Sequence, residues 1–115
     1  MKITIYQKPT CTTCQQVHAA LRDAGVDFDA VDYYTDPIPK AKLQELVHKM
    51  GIPARQLLRT NEPIYKTLQL DERELSDSAL IELMTKHPDL IQRPIVERGD
   101  RAILARPADR LREIL

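Results

Sequence analysis

The chain has no tryptophan, one phenylalanine and four tyrosines. So few aromatics leave no stacking platform for single-stranded nucleic acid. It has only three glycines in 115 residues, so there is no glycine-rich loop to cradle phosphates, which argues against a nucleotide site. Charge of one sign is missing as well: 17 Lys and Arg offset 17 Asp and Glu, for a formal net charge of zero. Broad binding to nucleic acid or to a membrane surface needs a surplus of Lys and Arg, so neither partner is expected. No stretch nears the ~20 apolar residues of a membrane span. The apolar run in Ile3-Thr4-Ile5-Tyr6 is too short for a signal peptide's core, so the expected location is cytoplasmic. Cysteine is scarce too, with Cys11 and Cys14 alone. In a reducing compartment a close pair suits catalysis or metal binding better than a structural disulfide.

What is present reads as one α/β domain. Hydrophobic residues at 43% against 30% charged residues give a globular composition, not a disordered one. Ile3-Thr4-Ile5-Tyr6 is a strand. Val17, Ala20, Leu21 and Ala24 then mark a helix starting near Thr12 and stopping at Gly25. The stretch from Phe28 to Tyr33 alternates as a second strand, which makes a βαβ unit with a parallel pair. The middle is helical. Leu43, Leu46, Val47 and Met50 form one stripe closed by Gly51, and Pro53 starts a short helix carrying Leu57 and Leu58. Asn61 is expected to cap a helix using Ile64, Leu68 and Leu70, and Ser76 or Asp77 to cap another that ends at His87-Pro88. Arg98-Gly99-Asp100-Arg101, between two short apolar runs, signals a hairpin. Leu111, Ile114 and Leu115 predict a last amphipathic helical turn.

The sharpest feature is Cys11-Thr12-Thr13-Cys14, set between a strand and a helix. A cysteine there meets unpaired helix N–H groups and the positive end of the helix dipole, both of which favour the nucleophilic thiolate. Cys14, one turn on, can close a disulfide with it. The alternative is half a zinc site. It lacks a second cysteine pair, and His18, His48 and His87 do not have ligand spacing with these cysteines, so no metal is expected. Arg93 precedes Pro94, Arg106 precedes Pro107, and Arg59 follows Leu57-Leu58. An arginine is ordinarily a solvated surface side chain, and spacing alone does not bring these together. The histidines read as surface or helix-end residues.

Several segments together resemble the arsenate reductase family that couples to glutaredoxin or thioredoxin. They are Pro9-Thr10-Cys11, the run from Leu57 to Pro63, His87-Pro88, the run from Leu90 to Val96, and Ala105-Arg106-Pro107. The resemblance follows chain order over essentially the whole length. It implies a thioredoxin-like fold with a mixed four-stranded sheet, ordered β-α-β, helical insertion, β-β-α. Residues 1–115 would then form a single domain with the insertion at about 38–88. It makes Cys11 the nucleophile toward arsenic and Arg59, Arg93 and Arg106 an oxyanion clamp. It also makes Arg93-Pro94 a cis peptide, with Pro94 beside the active cysteine. No bound cofactor is implied. The substrate is arsenate, electrons come from an external thiol donor, and the protein is a monomer. Guanidinium groups suit a phosphate-like oxyanion because they stay charged and bind its oxygens in pairs.

The chain departs from the glutaredoxin-linked pattern at three positions. Gln7 stands where those relatives often have His, Cys14 where they have Ser, and Gln15 where they have Arg. Cys14 thus supplies an internal resolving thiol, which favours thioredoxin over the glutathione and glutaredoxin route. Two other readings follow from the same motif. Spx-like transcription regulators share the fold and a C-x-x-C, bind RNA polymerase and use the disulfide as a switch, but lack arginines equivalent to Arg59 and Arg106. A general thiol-disulfide oxidoreductase would leave the arginines unexplained.

Overall fold

The computed structural model describes residues 2–115. The chain forms two compact units, one running to Asp36 and resuming at Arg93–Leu115, the other Pro37–Gln92.

The first unit holds a four-stranded sheet. Its strands are β1 (Ile3–Gln7), β2 (Phe28–Asp32), β3 (Ile95–Arg98) and β4 (Arg101–Leu104), in the order β2-β1-β3-β4. β1 and β2 are parallel, with Ile3 opposite Phe28 and Gln7 opposite Asp32. Such a pair needs a crossover, and helix α1 (Thr12–Asp23) supplies it. Cys14, Val17 and Leu21 are its buried stripe, at helical spacing. β3 runs antiparallel to β1, with Tyr6 opposite Ile95, and β4 returns antiparallel to β3. Gly99 makes that hairpin turn at φ +62°, which favours a residue without Cβ. The core gathers Ile3, Ile5, Val17, Leu21, Val96, Ile103, Leu111 and Ile114. Central β1 and β3 are largely buried, whereas edge strand β2 is mostly half-buried or exposed.

The chain's last segment departs from the expected α-helix. Ala108–Glu113 is a 3-10 helix. Three residues per turn stack Leu111 and Ile114 on one face, both buried, and this leaves Leu115 half exposed.

The second unit is helical: α2 (Lys40–Met50), α3 (Pro63–Thr67) and α4 (Asp77–Lys86), with 3-10 turns at Ala54–Leu57 and Pro88–Leu90. α4 packs against α2 and both turns. Gly51 closes α2 at φ +66°, and Ser76 Oγ caps α4 by accepting from the Ala79 N–H at 3.1 Å. Asn61 does not cap α3. Pro63 takes the first helical position, which moves the cap to Glu62, where no side chain bonds the helix end. α3 is also shorter than its apolar pattern suggested. Gln69 turns at φ +53°, and Leu70 is buried beyond the helix. An antiparallel bridge joins Leu58 to Ile91, and Gln92 N–H donates to the Leu57 carbonyl at 2.8 Å.

Candidate active site

Sheet topology decides what meets at the end of β1. β2 runs parallel to β1, so the residues after both strands share one edge of the sheet. β3 is antiparallel, so the residues before it arrive at that edge, and the residues after β4 return there. Four segments therefore converge: Lys8 to Cys11, Tyr33-Tyr34, Arg93-Pro94 and Arg106-Pro107.

Cys11 is the N-cap of α1, with extended backbone (φ −82°, ψ 125°). Its Sγ accepts from the Cys14 N–H at 3.3 Å, and its own N–H donates to the Lys8 carbonyl at 3.0 Å. A sulfur in this place takes over the role that Ser, Thr or Asp oxygens usually fill. Cys11 is half-buried and Cys14 fully buried, and both are free thiols. Partial burial pulls the Cys11 thiol upward. The Cys14 thiol and N–H and the Arg93 guanidinium outweigh it and hold Cys11 below its ordinary value. Burial, aided by the hydrogen bond to Cys11, pushes Cys14 up to about 12. Geometry thus separates two identical side chains, favouring the thiolate at Cys11 and holding the proton at Cys14.

Arg93 is 6% exposed, so its charge is buried. Its guanidinium interacts with Cys11 and Tyr33, and Nη1 donates to the Tyr34 hydroxyl at 3.4 Å. Among the described residues, its buried Nε has no hydrogen-bond partner. Such a donor is costly unless a ligand satisfies it. Lys8 Nζ lies 4.7 Å from the Tyr34 ring centroid, a cation–π contact. Arg106 Nη1 donates to the Arg93 carbonyl at 3.3 Å. The Arg93-Pro94 peptide is cis, and so is Arg106-Pro107, which the sequence did not single out. Arg59 belongs to the second unit. There its Nε pairs with Glu62 at 3.0 Å and its Nη1 donates to Gln92 Oε1 at 3.2 Å.

Sequence reasoning overlooked Tyr33, Tyr34 and the pairing of Gln7 with His18. Gln7 Nε2 donates to Asp32 Oδ1 at 3.0 Å, and Gln7 Oε1 meets His18 Nδ1 at 3.1 Å. The register that sets Gln7 opposite Asp32 was the available signal, since it also sets Tyr33 and Tyr34 beside the loop after β1. His18 is half-buried, its ring set nearly perpendicular to that of Phe28 with centroids 5.1 Å apart. Gln15 donates from Nε2 to the Pro9 carbonyl at 2.8 Å and closes the loop before the cysteine. Among the described residues, no group of three or more His, Cys, Asp or Glu is placed to hold a metal ion. No described helix is long and apolar enough to cross a membrane.

A thiol capping the first helix of a βαβ unit, with an antiparallel hairpin completing the sheet, defines the class: a thioredoxin-like thiol protein. Comparison narrows it. The ArsC family model matches residues 6–114, and the chain belongs to the ArsC family. It is 35% identical to an arsenate reductase of Haemophilus influenzae, covering 100% of both chains. It is 38% identical to an arsenate reductase of Escherichia coli, over 98% of this chain and 80% of that one. A solved arsenate reductase from Vibrio cholerae superposes with a TM-score of 0.94 at 34% identity, covering 100% of this chain and 98% of the other.

Proposed function

We propose that the chain reduces arsenate to arsenite, with Cys11 as the nucleophile. The observation that carries this reading is Arg93. A buried guanidinium with an unpartnered Nε lies beside a helix-capping thiol held below its ordinary pKa. An oxyanion at that point satisfies the orphan donor and offers its central atom to the sulfur. The Cys11 thiolate attacks arsenic and one hydroxyl leaves as water, its extra proton coming from a second hydroxyl of the arsenate, which leaves a Cys11–arsenic bond. Arg93 and Arg106, both of the first unit, hold the oxygens; the family resemblance assigns the same role to Arg59.

Cys14 is the resolving thiol. Its sulfur attacks the Cys11 sulfur and the sulfur–arsenic bond breaks with its electron pair going to arsenic. Arsenic(V) becomes arsenic(III) and the two thiols become a disulfide. An external thiol donor, thioredoxin in preference to glutaredoxin, restores the pair. The protein works as a cytoplasmic monomer without a bound cofactor.

The test is arsenate-dependent NADPH consumption with thioredoxin and its reductase, set against glutathione, glutaredoxin and glutathione reductase. Turnover in the first system that is lost in Cys11→Ser supports the reading. No arsenate-dependent turnover in either system, with tight binding to RNA polymerase, would replace the enzyme with a regulator.

A further inference from the structure

A cleft of about 300 Å³ opens beside Cys14, on the α1 side of the sheet. Cys14 and His18 both line it, with Gln7, Gln15 and Arg22 among their neighbours. Cys14 and His18 are four residues apart on α1, the spacing that places two side chains on one helix face. We propose that His18 is the general base that takes the proton from Cys14 when Cys14 closes the disulfide with Cys11. This rests on the reading of Cys14 as the resolving thiol.

The hydrogen bonds around His18 fix which ring nitrogen carries its proton. The Asp32 carboxylate accepts, so the Gln7 amide must turn its NH₂ toward it. The Gln7 oxygen then faces His18 Nδ1, which must be the donor. In the neutral ring this leaves Nε2 bare. Among the described residues, none bonds Nε2. Asp32 and Gln7 are therefore positioning residues. They hold one tautomer, and the Phe28 ring edge fixes the plane of the imidazole.

The chemistry needs a base here. In the free protein the Cys14 thiol hydrogen-bonds to the Cys11 sulfur. Once Cys11 is bonded to arsenic or to a second sulfur, it carries no negative charge and cannot receive that proton. The Gln7 and Gln15 amides are not bases, and Arg22 is a cation. The titratable and charged groups that face His18 are Cys14 and Arg22 from its own helix and Asp32 from β2 through Gln7. β1 contributes only the neutral Gln7, and no residue of the C-terminal 3-10 helix lines the cleft. Nε2 accepts the thiol proton directly or through one water, as a general base does. The sulfur's electron pair then forms the Cys11–Cys14 bond, and the departing group leaves Cys11 with the electron pair of the broken bond.

The test avoids arsenate. One equivalent of dithiobis(nitrobenzoate) caps Cys11 and releases a first nitrothiolate. Attack by Cys14 then releases a second, and each release is read by absorbance. The wild type should release two per chain. In His18→Gln the first release should be unchanged and the second slowed about 10²-fold near pH 7, the low end of a general base's contribution. In His18→Ala, added imidazole should restore the second release through the open cleft.

An unchanged rate for the second release in His18→Gln overturns the proposal while leaving Cys14 as the resolving thiol. A single release per chain in the wild type instead removes the resolving role itself, and His18's with it. If His18→Gln also alters the first release, imidazole decides: rescue of His18→Ala supports the assignment, and absence of rescue overturns it.

Discussion

Replacing Arg93 with Met removes a buried guanidinium and keeps an unbranched chain of similar reach. In the free protein the guanidinium is incompletely satisfied: among the described residues Nε has no partner, and Nη1 is 3.4 Å from the Tyr34 hydroxyl. A buried donor without a partner costs about 1–3 kcal/mol, and more for a charged group. An oxyanion that pairs with Nε recovers that amount on binding. At 1.4 kcal/mol per tenfold, this is roughly a 5- to 150-fold gain in affinity from one contact. Arg93→Met should therefore weaken oxyanion binding by at least about 5-fold. The assay is protection of Cys11 from iodoacetamide by arsenate without any reductant, each protein normalised to its own rate without anion. The concentration giving half protection should rise. Stability should hold or improve, because an apolar side chain replaces a buried charge with an unmet donor. Urea midpoints check this, so lost protection cannot be blamed on unfolding. A folded Arg93→Met protein whose half-protection concentration stays within about twofold of wild type would remove Arg93 from the oxyanion site.

In Cys14→Ser, alkylation of Cys11 followed against pH should show a midpoint below the ordinary thiol value of 9.0. A midpoint at the ordinary value would mean that the helix end and Arg93 do not activate the sulfur. Cys14 is shifted the other way, from 9.0 to about 12, so the folded chain holds its proton more tightly than the unfolded chain does. That contribution to stability is whole below about pH 9 and is lost as pH rises toward 12. Cys14→Ala should flatten the alkaline decline in urea midpoint. Tyr33, also raised by burial, leaves a residual slope. Leu21→Ala, at a fully buried site in the first unit's core, should cost about 2–5 kcal/mol by urea denaturation. Ser76→Ala, which deletes the α4 cap, should cost about 1 kcal/mol and leave the alkylation rate of Cys11 untouched.

The sequence pattern was most legible where local chemistry and long-range packing agree. The β-branched run before Gln7, the Val17 and Leu21 stripe and the Gly99-Asp100 turn each carry their own signal, and they place β1, α1 and the final hairpin. The position of Cys11 at a helix start was readable for the same reason. Other features depend on register or on competition between similar local states. A spacing of three between Leu111 and Ile114 suits an α-helix and a 3-10 helix alike, and only the backbone shows which one formed. Asn61 has the chemistry of a cap, but Pro63 sets the helix start one residue too late for it. No periodicity links Gln7 to His18 or Tyr34 to Arg93. The first pair depends on where α1 lies against β1, and the second on β2 and β3 both pairing with β1 so that their flanking residues meet at one edge.

In the proposed reaction one atom, the Cys11 sulfur, both attacks the substrate and begins a helix, since it accepts the Cys14 N–H at 3.3 Å. A sulfur that has just bonded to arsenic or to another sulfur is a weaker acceptor than a thiolate. Bond formation at the nucleophile therefore loosens the first turn of α1 at the residue whose side chain must act next. The helix is most firmly capped while the enzyme waits and least firmly capped in the intermediate. Covalent capture and the loosening of Cys14 are in that sense one event, timed by the chemistry itself.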